Sequence, residues 1–238
     1  MATAQNIGSE WAKDQGAEYI ILFDQDSLPA PDLVAQLMKA YNSIAAQGEN
    51  ISAVGPVIRD VRTATTAPFI RIGWFGTRRI FPDAEPVIAA DFLISSGMLC
   101  SIETFQPVGL MREELFIDHV DTDWFLRAGA AGYNAWGVRD ATMHHSLGEE
   151  VRSYSIFKGR LMYMHKPFRY YYTFRNSINL YRKKYATAKW ISGDIVRLCK
   201  ILVVILFNKN RYECYKMIVI GLLHGLIGRS GRYRGESN

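Results

Sequence analysis

Asp24-Gln25-Asp26 places two carboxylates one residue apart at the end of a short apolar run, Glu18-Tyr-Ile-Ile-Leu-Phe23. That run reads as a buried strand, and ligands of open α/β sheets bind beyond the carboxyl ends of strands. Paired carboxylates there suit a hard divalent cation. Such an ion would bridge diphosphate oxygens and offset the charge that develops on a departing nucleoside diphosphate. Asp, Ser and Pro are also the residues a strand-to-helix loop uses, so this motif alone leaves both readings standing. A second cluster, Asp118, Asp121 and Asp123 within Phe116–Arg127, sets three carboxylates at a helix start. They complement the helix dipole or supply a tuned general base, with Asp118 and Asp121 on one face. A third is His144-His145 after a strand, either structural donors or, in a chain with an Asp-x-Asp pair, a metal ligand. HExxH, GxSxG and GxxxxGK[ST] are absent from the sequence, so metalloprotease, α/β-hydrolase and P-loop readings lack their carriers.

The elements that must hold these residues alternate. A helix is expected over Gln5–Gly16, the strand before Asp24, then a helix opened by Pro31 and carried by Leu33, Leu37, Tyr41 and Ile44. Strands follow at Ser52–Ile58 and Val87–Ile94, with a loop or hairpin at Thr63–Asp83 between them. Ser95-Ser96-Gly97 marks a turn before a short strand at Met98–Ile102. A helix over Asp121–Ala131 stops at Gly132, and Tyr133–Val138 is a last strand before a His144–Gly148 loop. Helices close the chain at about 168–185, 190–207 and 211–228. The pattern is α/β, with a mixed, mostly parallel sheet flanked by helices and a helical tail.

With 238 residues, 49% hydrophobic and 21% charged, the chain can bury a sizeable core, and disordered, collagen-like and disulfide-scaffold classes are excluded. Three scattered cysteines fit a reducing compartment and no zinc ribbon. The first residues lack the basic-then-apolar pattern of a signal peptide, and the longest apolar runs fall short of the roughly 18–20 residues of a membrane-spanning helix. The net charge of +5 conceals a split: residues 1–150 carry 10 Lys/Arg against 20 Asp/Glu, and residues 151–238 carry 18 against 3. An acidic catalytic or metal-binding body and a basic tail facing something anionic are implied. The acidic body and the lack of an Arg-rich run or RNP motif speak against nucleic acid.

In order along the chain, these segments resemble family 2 glycosyltransferases of the bacterial rhamnosyltransferase branch. The carriers are Ala2–Gly8 with Asn6, Tyr19–Ser27 with Asp24-Gln25-Asp26, Asp91–Gly97, Phe116–Gly132, His145 and Arg169–Asn176. The resemblance implies a GT-A-like fold, with residues 1–150 as catalytic domain and 151–238 as helical region. It puts the catalytic base on Asp121 and the metal, Mg²⁺ or Mn²⁺, on Asp24, Asp26 and His145. Asn6, Gln25, Asp91, Ser96, Gly97, Asp118, Asp123, Trp124 and Arg127 fall on substrate-binding positions, Arg127 with a structural role as the alternative. Implied further are an inverting transfer of L-rhamnose from dTDP-L-rhamnose to a lipid-linked saccharide for surface polysaccharide such as O-antigen, and peripheral residence on the inner face of the cell membrane against anionic lipid. Homo-oligomerisation stays open. Members begin with two strand–helix units that hold the nucleotide base, and this sequence starts near the Asn6 element, so those units are expected to be missing. The rival expectation is a non-catalytic membrane-associated assembly protein or an inactive fragment of such a transferase.

Overall fold

The computed structural model describes residues 1–61, 65–82, 85–145, 150–153 and 161–235, with backbone alone for 150–153 and 161–163. The central strand is β3 (Ile51–Asp60), buried at every position but Arg59. Burial on both sides is why it reads as a near-continuous apolar run instead of alternating. Its odd positions Ala53 and Val57 join Met98, Trp124 and Phe125 on one face of the sheet. Its even positions Val54 and Ile58 meet Leu33, Leu37 and Ile44 of α2 (Leu33–Ala45) on the other. One strand thereby supplies the wall of two cores.

The other elements of the first half are α1 (Ala2–Asp14), β1 (Tyr19–Ile21), β2 (Leu28–Pro29), β4 (Phe69–Gly73), β5 (Gly76–Ile80), β6 (Val87–Ala90), β7 (Leu99–Ser101), α3 (Phe105–Val108), α4 (Val120–Ala130) and β8 (Asn134–His145). The main sheet runs β1-β7-β3-β8-β2, with β6 also on β8. Its longest ladder, β3 on β8, is parallel; the pairings around it are antiparallel. This is the mixed α/β sheet flanked by helices that a GT-A-like fold requires. β4 and β5 form a separate hairpin within the expected loop-or-hairpin region.

Two boundaries differ from expectation for physical reasons. β8 does not stop at Val138: the ladder passes from Pro56↔Val138 to Val57↔Thr142, so Arg139, Asp140 and Ala141 bulge out before pairing resumes. Pro56 has no N–H to give the ladder, and a bulge is where a central strand accommodates it. His144 and His145 are therefore strand residues, while Ser146–Gly148 of the expected loop lies outside the described residues. Val87–Ile94 is strand only to Ala90, because the chain turns towards Gly97 beyond it.

The tail contributes β9 (Glu150–Ser153) paired with β10 (Leu161–Met164), then α5 (Pro167–Tyr181), α6 (Ala188–Ile205) and α7 (Arg211–Leu226). Tyr170, Phe174, Leu198, Ile205, Cys214 and Ile218 make the helices' own core. α7 lies directly on α5: a Cβ at Gly221 would stand 2.5 Å from the Tyr171 carbonyl oxygen. The fully buried Arg175 guanidinium sits over the rings of Tyr171 and Tyr172, at 5.3 and 4.8 Å. It donates to the carbonyls of Leu115 (3.0 Å) and Gly231 (2.5 Å), and the Gly231 N–H donates to the Glu114 carbonyl at 2.6 Å. The tail thus grips the segment just before α4.

Candidate functional site

β2 explains why distant motifs meet. It pairs with the end of β8, Leu28 opposite His144 and Pro29 opposite Met143, which folds the Asp24–Ser27 turn back onto the strand's last residues. Asp24, Asp26 and His145 each offer a ligand atom, all within 4.8 Å of one another. His145 Nδ1 lies 3.4 Å from Asp26 Oδ1 and 3.1 Å from Ser27 Oγ. Adjacent residues of a strand face opposite sides, which separates the two histidines: His145 points at the carboxylates and His144 is exposed. Two carboxylates and an imidazole are a donor set that fits a divalent cation with coordination positions left over. The set borders an open groove of about 630 Å³ lined by Ala4, Gln5, Gly8 and Ile21–Asp26, in which Gln25 is exposed.

Two neighbouring serines join this group to α4. The buried Ser96 Oγ accepts from the Asp24 N–H at 3.0 Å and lies 2.6 Å from Ser27 Oγ. The Ser95 N–H donates to Asp121 Oδ2 at 3.2 Å. The turn that aims both is built on Gly97, at φ +80°, where a Cβ would meet Pro56 Cγ at 2.7 Å and Met143 Sδ at 3.0 Å. Only glycine fits both the backbone and the space.

Asp121 stands in the first turn of α4, and its Oδ1 is enclosed without a hydrogen-bond partner. Burial pushes its carboxyl up to about 6, opposed by the Ser95 hydrogen bonds and aided by the charges of Asp24 and Asp118. A carboxylate with one free lone-pair oxygen and a raised pKa has the properties of a general base.

Three residues ahead of α4 take left-handed backbone without being glycine: Phe116 (φ 66°), Asp118 (φ 59°) and His119 (φ 62°). Such strain persists only where surroundings impose it, and it concentrates at functional sites. Here Asn176 Nδ2 donates to the carbonyls of Leu115, Ile117 and Asp118 at 2.9–3.1 Å. Arg169 pairs with Asp118 at 2.6 Å. Since α4 begins at Val120, Asp118 precedes the helix and does not share a helical face with Asp121, contrary to the sequence reading.

Several residues expected at substrate-binding positions brace the fold around α4, α1 and the hairpin. Asp123 is fully buried between Arg127 (2.9 Å), Arg112 (3.4 Å) and the Tyr185 hydroxyl (2.5 Å). Arg127 also donates to the carbonyls of Val108 and Leu110, and the buried Trp124 N–H donates to Gly109 O at 3.0 Å. Asn6 is tied to the backbone of Met111 in both directions, each bond 2.9 Å. Asp91 accepts from the Ile72 N–H and pairs with Arg71, bracing the β4–β5 hairpin. The spacing of these side chains along the chain carried no sign of which would turn inward. Ser27 and Ser95, which bear directly on the site, were not singled out; a hydroxyl after Asp-x-Asp and a Ser-Ser-Gly turn were the available signals.

No protein-family model matches this sequence. The dTDP-rhamnosyl transferase RfbF of Shigella flexneri is 34% identical over 234 residues, spanning 97% of this chain and 76% of that protein.

Proposed function

The chain belongs to the bacterial rhamnosyltransferase family and is a glycosyltransferase, and from that premise we propose that it transfers L-rhamnose from dTDP-L-rhamnose with inversion, in one displacement. The carrying observation is the Ser95–Ser96 link, which sets the enclosed Asp121 carboxylate within charge reach of the Asp24–Asp26–His145 group. Asp121 accepts the proton of the acceptor hydroxyl as that oxygen attacks the anomeric carbon. Asp24, Asp26 and His145 would hold a divalent cation, Mg²⁺ or Mn²⁺, which would supply charge stabilisation for the donor diphosphate. The groove beside α1 accommodates the donor. The reading is tested by incubating the protein with dTDP-L-rhamnose, metal and a saccharide acceptor, and following dTDP release and the anomeric configuration of the product by NMR. Retention, or transfer from other nucleotide sugars only, overturns it. Chelation is expected to stop turnover and Mn²⁺ or Mg²⁺ to restore it. Asp26→Asn should lower kcat/KM by roughly 10²-fold, since such an ion supplies several kcal/mol of charge stabilisation.

The acceptor in this reading is a lipid-linked saccharide for surface polysaccharide, met at the cytoplasmic face of the membrane. Among the described residues no helix is long and apolar enough to cross a bilayer. Exposed Val203, Leu206, Phe207, Val219, Leu223 and Leu226 share α6, α7 and their connection with Lys209, Arg211 and Lys216. That mixture suits an interfacial surface on anionic lipid. At about 1 kcal/mol for each cation near such a surface, Lys209→Glu with Arg211→Glu should cut flotation with phosphatidylglycerol vesicles about tenfold or more. Equal flotation on neutral vesicles, or no effect of the reversal, would defeat membrane docking. Deleting the helices is a poor test, because Trp190, Leu198 and Ile218 are buried in the fold.

A further inference from the structure

A cavity of about 380 Å³ opens at the edge of the main sheet opposite the Asp24–Asp26–His145 group. It lies among the second half of α4, the first residues of β3 and β8, and the connection from α5 to α6. Ser52 of its wall is the second residue of β3, while Asp60, the last, pairs with His145. At the rise of a strand those two ends are roughly 25 Å apart. Gly129, also in the wall, sits roughly 12 Å along the axis of α4 from Asp121. The transferase chemistry is carried elsewhere and gives this cavity no role.

Its inner wall holds an unmet hydroxyl. The β3–β8 register shifts between Ile51 and Ala53, which leaves Ser52 as an extra residue. Ser52 is fully buried, and its Oγ has no hydrogen-bond partner among the described residues. Leaving such a group unpaired is costly. The outer wall is cationic. α6 starts there, and Thr187 Oγ1 accepts from the Trp190 N–H at 3.2 Å. The N–H groups of Ala188 and Lys189 have no partner among the described residues, and the first turn contains no acid. A helix start of this kind favours an anion. Lys184 and Lys189 line the same side, exposed and paired with no carboxylate among the described residues. The nearby acids are already engaged: Asp91 with Arg71 at 3.1 Å, and Glu49 as acceptor from the Asn134 amide at 3.1 Å. Ile72, Phe125, Leu126 and Tyr133 make the remaining wall largely apolar.

A phosphomonoester carries close to two negative charges at neutral pH, which matches two lysines and a helix start. Inorganic phosphate would leave the apolar wall and Ser52 unserved, and an uncharged ring would leave the lysines so. The volume falls within the roughly 300–1,000 Å³ of small-molecule sites. We propose that this cavity binds a small cyclic phosphomonoester, with its ring on the apolar wall, a polar group at the ring's far edge on Ser52, and its phosphate at Lys184, Lys189 and the start of α6. Tyr185 shares the wall and donates its hydroxyl to Asp123, so the occupant touches the brace of the helix that carries Asp121. The inference stands apart from the transferase reading and from the identity of the sugar transferred.

Saturation-transfer NMR on the full chain tests it, with 4-hydroxyphenyl phosphate, phenyl phosphate and phenol as probes. EDTA is included so that no metal draws phosphate to Asp24 and Asp26. The two phosphates are expected to bind, the hydroxylated one more tightly, and phenol weakest. A Cβ at Gly129 would meet nothing within 4 Å, so Gly129→Leu fills the cavity without displacing the core, and leucine suits a helix better than glycine. Ring contact should disappear in that variant. Lys184→Glu with Lys189→Glu should raise the Kd of both phosphates tenfold or more and leave phenol unchanged. Ser52→Ala should melt no lower than wild type and should bind the two phosphates equally. Absence of contact with either phosphate overturns the proposal. So does contact that survives Gly129→Leu, an affinity unmoved by the charge reversal, or a preference for the hydroxylated probe that persists in Ser52→Ala.

Discussion

Asp121→Asn is expected to lower kcat by about 10²–10⁴-fold, the range that loss of a positioned general base produces, with donor binding and fold retained. The amide keeps the size of the carboxyl and its bond from the Ser95 N–H, but it cannot take a proton from the acceptor hydroxyl. The raised pKa adds a signature. Below about 6 the carboxyl holds its own proton, so wild-type kcat/KM should climb about tenfold per pH unit and level off above 6. The residual activity of Asp121→Asn should lack that limb. Stability moves in the opposite sense. A carboxyl whose pKa is higher in the fold than in the unfolded chain disfavours the fold progressively as pH rises from its ordinary value of 3.8 to about 6. At pH 7–8 the asparagine variant should therefore melt no lower than wild type. Turnover above a tenth of wild type, or an unchanged pH limb, would remove Asp121 from the role of base.

Asp123→Ala, two residues away, should do the reverse. Its carboxylate is fully enclosed by Arg127, Arg112 and the Tyr185 hydroxyl; its removal takes the carboxylate from the largely buried Arg127 and from Tyr185, while Arg112 keeps Glu114. Breaking such a pair typically costs about 3–5 kcal/mol. At roughly 2–4 °C per kcal/mol for a chain of this size, Tm should fall by roughly 6–20 °C. Thermal melts followed by circular dichroism decide it, and a fall of under 2 °C would show that the network is not structural. Side by side, the two variants separate proton transfer from support within one turn of helix.

What the sequence disclosed was local chemistry. A strand ending in Asp24-Gln25-Asp26, or acids opening a helix, can be read from neighbours within a few residues. The resemblance already pointed to His145 and not His144, and the pleat of β8 gives the physical reason; that strand's true length was hidden because its bulge, Arg139-Asp140-Ala141, has the composition of a turn. The bracing role of Asp123, beside the Asp121 that the resemblance made the base, was hidden too. It depends on which side of α4 meets Arg112 and Tyr185, far apart in the chain. Left-handed backbone at Phe116, Asp118 and His119 had no local signature, since no glycine marks it and the tail imposes it. Arg169–Asn176 stood out as a basic, aromatic helix; that its polar side chains serve the carbonyls ahead of α4 became visible only in the fold.

The grip of the tail on that segment has a consequence for biosynthesis. The carbonyls of Glu114 and Leu115 find their partners in Arg175, Asn176 and Gly231, and Gly231 leaves the ribosome roughly a hundred residues after Glu114. At about 5–20 residues per second, the turn before α4 waits on the order of 5–20 s for the Gly231 clasp. The strands of the sheet are all made before then, whereas the Glu114 carbonyl gains its Gly231 donor only afterwards, so the turn before α4 is expected to lock after the sheet has paired.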